Sequence, residues 1–206
     1  MKTLGIRPRS SRVFSLRIDQ PAERSRRNGR GKTRYMALSQ TALNPRRQQE
    51  RVMPAEIGQQ VPEFTAAAST GEQVSRGSLH GKPFVLYFYP KNDTPGCTKE
   101  ACGFRDLGAE FAAAGVAIFG VSGDSLKSHD KFIQKYGLTF PLLSDPDHSL
   151  HAAFDTWGEK KLYGRVSMGT VRSTFLVDAQ GVIRGVWRKV KVDGHVEAVL
   201  AAAKAL

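Results

Sequence analysis

Cys97 and Cys102 are the only two cysteines of a 206-residue chain, and they stand five positions apart. They lie in YFYPKNDTPGCTKEACGFRD, residues 87–106, between an apolar run and a helical pattern. Thr94 is a good N-cap and Pro95 suits the first position of a helix, which puts Cys97 in the first turn. Free backbone N–H groups and the positive end of the helix dipole favour a thiolate there, and the thiolate is the reactive form of cysteine. The gain can be large: a thiol of pKa about 8.5 is about 3% ionised at pH 7, and one of pKa about 6 is about 90% ionised. Cys97 is therefore the expected nucleophile.

Five residues along an intact helix separate two Cα atoms by about 8–9 Å, whereas a disulfide spans at most about 7 Å. If Cys97 and Cys102 join, the first turns of the helix must unwind, and the poor helix formers Gly96 and Gly103 lower that cost. Two thiols without further Cys or His ligands at a recognisable spacing make a poor metal site, and no metal or cofactor is expected. His148 and His151 form an H-x-x-H on a predicted helix without a carboxylate motif and read as surface histidines. His80, His129 and His195 read the same way, and Trp157 and Trp187 as packing residues.

The elements that must position the thiols follow from periodicity. PFVLYFY (83–89) and VAIFGVS (116–122) are apolar runs of the kind buried on both faces of a sheet. Between them, Phe104, Leu107, Phe111 and Ala114 recur at helical spacing, and Gly115 closes that helix. SLKSHDKFIQKYG predicts a helix ending at Gly137, with Leu126, Phe132, Ile133 and Tyr136 as its apolar face. FPLLSD predicts a short strand and DHSLHAAFDTWG a short helix. VRSTFLVDAQGVIRGVWRKV reads as a hairpin and GHVEAVLAAAKAL as a terminal helix. A βαβα half followed by ββα is the thioredoxin order. The expected fold is α/β, a mixed sheet flanked by helices, with an extra N-terminal strand or hairpin from FTAAASTGEQVSRGSLHG.

Charge divides the chain unevenly. Net charge is +12, but residues 1–52 carry 14 Lys and Arg against 3 Asp and Glu, leaving a nearly neutral remainder. This first quarter has no sustained period and few bulky apolar residues, so disorder is expected. A nucleic-acid arm is disfavoured because only Phe14 and Tyr35 are aromatic, too few to interleave with the arginines as base stacking requires. The expectation is that translation starts at Met53, and the alternative is an Arg-rich organelle transit peptide. No run of roughly 18 apolar residues is present, and a cytoplasmic location is expected, or an organelle in the alternative case.

The quoted stretch, with FGVSGDSLKSHDKFIQKYGLTFPLLSD and WGEKKLYGRVSMGTVRSTFLVDAQG, resembles a Q-type peroxiredoxin of the bacterioferritin comigratory protein group, from about Val61 to the C-terminus. The P-x-x-x-T-x-x-C signature falls on Pro90, Thr94 and Cys97, and the distal arginine on Arg172. The resemblance implies an atypical two-cysteine peroxidase for hydrogen peroxide and organic hydroperoxides. It implies Cys97 as the peroxidatic and Cys102 as the resolving cysteine of an intrachain disulfide, a thioredoxin-type dithiol as reductant, and a monomer. It also assigns Arg172 to the thiolate and peroxide and Pro90 to shielding the pocket; the Thr94 hydroxyl is expected to donate to the thiolate or orient the peroxide, or to serve only as the helix cap. Two rivals remain. A disulfide oxidoreductase on the same fold would want Cys-x-x-Cys, and a redox-sensing module would not turn over.

Overall fold

The computed structural model describes residues 55–162 and 165–206, with the side chains of all of these except 160–162 and 165. The extension expected at 1–52 and the start expected at Met53 lie outside them.

β1 (Thr65–Ala68) and β2 (Gln73–Ser75) pair antiparallel, the extra N-terminal hairpin. β3 (Phe84–Phe88) is followed by α1 (Pro95–Asp106) and α2 (Gly108–Ala113), then by β4 (Ala117–Ser122) and α3 (Leu126–Tyr136). β5 (Leu142–Ser144) and the five-residue α4 (Ser149–Ala153) complete the first half. β6 (Trp157–Leu162), β7 (Arg165–Thr170), β8 (Ser173–Val177), β9 (Ile183–Arg188) and α5 (His195–Ala203) make the second. Seven strands form one sheet in the order β2-β1-β5-β4-β3-β8-β9, and β6 and β7 form a separate antiparallel pair. β3, β4 and β5 run parallel while β1, β8 and β9 run antiparallel to their neighbours, so the sheet is mixed. This is the expected thioredoxin-like order.

β3 explains its own composition. All five of its residues are buried, and alternate side chains enter two different cores. Phe84, Leu86 and Phe88 meet Phe154 and Phe175 on one face. Val85 and Tyr87 meet Phe104, Phe132 and Val199, from α1, α3 and α5, on the other. A strand covered on both faces needs apolar residues throughout, hence the uninterrupted run. Opposite Tyr87, Gly120 leaves room for the tyrosine ring: a Cβ there would sit 2.7 Å from it.

Three details depart from expectation. The long helix after β3 breaks at Leu107, whose ψ of 5° separates α1 from α2. In α3 the buried positions are His129 and Phe132, while Leu126 is exposed. The β6–β7 hairpin was not legible in the sequence, where Trp157 to Thr170 alternates weakly and carries neither an Asn-Gly nor an Asp-Gly turn.

Candidate active site

The carboxyl end of β3 delivers the chain to a loop, residues 89–94, that is tied down at almost every position. Tyr89 donates its hydroxyl to Asn92 Oδ1 at 2.7 Å, and the Asn92 amide donates to Asp124 Oδ2 at 2.8 Å. The Asn92 side chain donates to Ser128 Oγ at 2.9 Å and lies 3.1 Å from His129 Nδ1. Asp93 has a left-handed φ of 58° and accepts from Lys135 Nζ and from the Tyr136 hydroxyl, the latter at 2.5 Å. α3 thus anchors this loop, and the loop sets where α1 begins.

α1 starts as the sequence predicts, with Pro95 in its first turn and Thr94 at the N-cap. Thr94 makes no side-chain cap bond, however; its hydroxyl donates to the Lys91 carbonyl at 3.1 Å. The expectations that Thr94 caps the helix with its side chain or donates to the thiolate are therefore corrected. The hydroxyl hydrogen is engaged on the loop, and the oxygen keeps its capacity to accept.

Cys97 is 2% exposed, and Arg172, between β7 and β8, reaches across to place Nη2 3.2 Å from its Sγ. The same guanidinium pairs through Nη1 with Glu100, one turn after Cys97 on α1. Burial alone would lower the Arg172 pKa, but Glu100 and the Cys97 sulfur outweigh that and hold it above the usual arginine value. Glu100 is fully buried, and burial pushes its carboxyl up to about 7 against the opposing pull of Arg172. Its second oxygen, Oε1, has no hydrogen-bond partner among the described residues. Glu100 was missed from the sequence because a Glu three residues beyond a cysteine looks like any solvated helix position.

Cys102 lies half-buried on the same unbroken helix, and both cysteines are free thiols. Its neighbour Arg105 donates to the Tyr136 carbonyl at 2.6 Å and to Asp106, pinning the C-terminal half of α1 to α3. Pro90 is exposed and lines an open cavity of about 440 Å³ with Asp124, His148, Trp157 and Thr170. A cavity of about 560 Å³ beside Glu110 and Lys204 is lined by none of the expected site residues.

The histidines are not where they were expected. His151 and His129 are fully inaccessible and His195 is 6% exposed; His148 is half-buried, and only His80 lies on the surface. Each buried ring has found a partner that the sequence pattern does not display. His195 Nε2 lies 2.8 Å from Thr174 Oγ1, and burial brings its pKa down to about 4. His148 stacks on Trp157 with ring centroids 3.6 Å apart. His151 Nδ1 lies 2.5 Å from Asp145 Oδ2. Asp145, His148 and His151 present ligand-type atoms within 4.8 Å of one another. The Asp145 carboxylate is already taken up by the amides of Leu150 and His151, the Ser149 hydroxyl and the His151 ring. This group therefore serves as an internal network rather than an open ligand set. Burial alone would raise the Asp145 pKa, but these donors hold it down at about 2.

Taken together, the geometry offers a buried thiol at a helix N-terminus gripped by a guanidinium, with a second thiol further along the same helix. Such a site can attack an electrophilic oxygen and stabilise the charge that moves off it. Comparison with known proteins agrees. Residues 57–186 match the AhpC/TSA family. The peroxiredoxin Bcp of Bacillus subtilis is 49% identical over 148 residues, covering 72% of this chain and 94% of that one. The peroxiredoxin Bcp of Xanthomonas campestris is 52% identical over 137 residues, covering 66% of this chain and 86% of that one. A solved structure of the Xanthomonas campestris bacterioferritin comigratory protein, from work on its alkyl peroxide reduction activity, superposes with a TM-score of 0.66 at 49% identity over 69% of this chain and 90% of that one. The chain belongs to the AhpC/TSA family, within its Bcp and peroxiredoxin Q group, and is a thiol-dependent peroxidase.

Proposed function

We propose that Cys97 is the peroxidatic and Cys102 the resolving cysteine of this peroxidase, and that Thr94, Pro90 and Arg172 complete the site. The Cys97 thiolate attacks the terminal oxygen of the hydroperoxide, the O–O bond breaks, and the product leaves as water or alcohol after taking up a proton. Arg172 holds the thiolate and then the charge developing on the departing oxygen. Thr94, with its own hydrogen on the Lys91 carbonyl, orients the peroxide by accepting from its O–H. Pro90 offers no N–H to compete for the peroxide. Ionising the thiol supplies only about tenfold to thirtyfold, so most of the rate must come from positioning and charge stabilisation. The observation that carries this reading is the 3.2 Å contact from Arg172 to a sulfur that is otherwise buried.

Cys102, as thiolate, then attacks the Cys97 sulfur, and hydroxide leaves and is protonated to water. Because both cysteines sit on an intact α1, this step requires the helix between them to unwind. Gly103 packs closely on α5, where a Cβ would lie 3.1 Å from Val196, so unwinding must also loosen that contact. A thioredoxin-type dithiol restores both thiols. An intrachain disulfide needs no partner subunit, which supports a monomer. Residues 53–206 are taken as the catalytic unit, a reading supported by the family match at 57–186. No helix of the described residues is long and apolar enough to cross a membrane, and the location that fits is the cytoplasm, or an organelle if residues 1–52 act as a transit peptide.

The test is a single turnover. Fully reduced protein is mixed with one equivalent of hydrogen peroxide and followed by tryptophan fluorescence and intact mass, beside Cys102→Ser. Disulfide formation orders of magnitude faster than a free thiol reacts, with the variant stopping at a Cys97 sulfenic acid, supports both roles. A rate like that of an ordinary thiol refutes them and returns the disulfide-exchange and sensor alternatives.

A further inference from the structure

Arg172 belongs to no strand. β7 ends at Thr170 and β8 begins at Ser173, so Val171 and Arg172 form a two-residue link between the β6–β7 pair and the large sheet. A link that short has no ladder of its own to fix the direction of its side chains. Its backbone is held instead by single bonds: the Val171 amide donates to the Thr156 carbonyl at 2.7 Å, and the Val190 amide donates to the Arg172 carbonyl at 3.0 Å. The Ser173 hydroxyl donates to the Val171 carbonyl at 2.9 Å.

Three bonds on the upstream side lead back to one residue. His151 Nε2 lies 3.1 Å from the Thr170 hydroxyl. The His151 carbonyl accepts from the Thr156 amide at 2.8 Å and from its hydroxyl at 3.2 Å, and it is Thr156 that receives the Val171 amide. His151 therefore controls both the residue before the link and the acceptor beneath it. Asp145 in turn fixes the ring. With its carboxylate 2.5 Å from Nδ1, that nitrogen donates to Asp145, and the ring is turned so that Nε2 faces the Thr170 hydroxyl. Asp145, His151 and Thr170 are 3%, 0% and 3% exposed. A buried polar chain is costly unless every member is partnered, and here each one is.

We propose that Asp145, His151 and Thr170 form a positioning relay for Arg172, holding the link from which its guanidinium reaches Cys97. The relay rests on the peroxidase reading above and adds a role to residues that touch neither thiol. Its value follows from the tolerance of the chemistry, since a displacement of about 1 Å in a reacting group can cost about a hundredfold in rate.

The test compares Thr170→Val, which keeps the shape and loses the hydroxyl, with Thr170→Ser, which keeps the hydroxyl. Both are made alone and in an Arg172→Gln background, with the rate of Cys97 oxidation by hydrogen peroxide read in single turnover. The expectation is a loss of about tenfold for Thr170→Val, recovery to within about twofold for Thr170→Ser, and no further loss beyond about twofold when Thr170→Val is added to Arg172→Gln. His151→Gln is a second route to the same pattern should Thr170→Val not fold. A loss of equal size in the Arg172→Gln background overturns the relay, because the effect would then not pass through Arg172. So does a rate for Thr170→Val unchanged within about twofold while the parent chain oxidises rapidly. A parent chain that reacts only as a free thiol overturns the peroxidase reading itself.

Discussion

The two ends of α1 carry the two thiols in opposite settings. Around Cys97 the helix is closed in: the sulfur is 2% exposed, Arg172 grips it, Glu100 is buried beside it, and the preceding loop is bonded to α3 at Asn92 and Asp93. Around Cys102 the thiol is half-buried, and what is fixed is its neighbour Arg105, pinned to Tyr136. The difference teaches that one helix serves two demands. The first thiol needs a rigid pocket before it reacts; the second needs the turns between them to open afterwards. The loop and Arg105 hold the two ends of α1, and opening the turns between them must break the Glu100–Arg172 pair and lift the buried Ala101 from the core.

Replacing the first thiol should break the comparison most severely. Cys97→Ser should remove peroxidase turnover entirely, and Arg172→Gln should slow sulfenic acid formation by about a hundredfold to a thousandfold, the usual effect of losing one charge-stabilising donor. Peroxide consumption in a stopped-flow instrument checks both; an Arg172→Gln rate within about tenfold of the parent would show that the guanidinium is not central.

Cys102→Ser should separate the two settings. Oxidation of Cys97 should proceed within about twofold of the parent rate, whereas steady-state turnover on a dithiol reductant should fall by about tenfold or more. A first step slowed as much as the second would mean that the helix end around Cys102 also shapes the Cys97 pocket.

Glu100→Gln sharpens the electrostatics of the closed end. The carboxyl titrates at about 7 in the folded chain, above the ordinary carboxylate value of 4.5, so the native state holds a proton that the unfolded chain has released. Stability is therefore lost as pH rises from about 4.5 to about 7, then levels off. His129 and His195 are shifted downward and act in the opposite sense, losing stability as pH falls below about 6.5, but they are common to parent and variant. The thermal midpoint of Glu100→Gln relative to the parent should thus rise between pH 5 and pH 8. A constant difference across that range would place the Glu100 proton elsewhere.

The smallest effect should come from removing residues 1–52. Peroxidase rate and thermal midpoint are expected to stay within about twofold and about 2 °C of the full chain, since the family match begins only at residue 57. A larger loss would make the extension part of the working enzyme.

Much of the molecule could be read from the chain itself. The uninterrupted apolar runs at β3 and β4, the helical spacing that follows Cys97 and the Gly137 stop of α3 are local patterns, set by how many faces an element buries and how it ends. They place Cys97 in the first turn of a helix and Cys102 beyond the reach of a disulfide while that helix stands. Tertiary structure decided what those patterns do not encode. Arg172 lies 75 residues from Cys97 in sequence, and their contact depends on how β3 and β8 pair in the sheet. Glu100 looks like a solvated helix residue until Arg172 and the core enclose it. His129, His151 and His195 look like surface residues until Asn92, Thr170 and Thr174 meet them from other parts of the chain. The reason is the same in each case. A residue's type and spacing fix what it can donate or accept, but its burial and its partner are set by segments far away in sequence, and only folding brings those together.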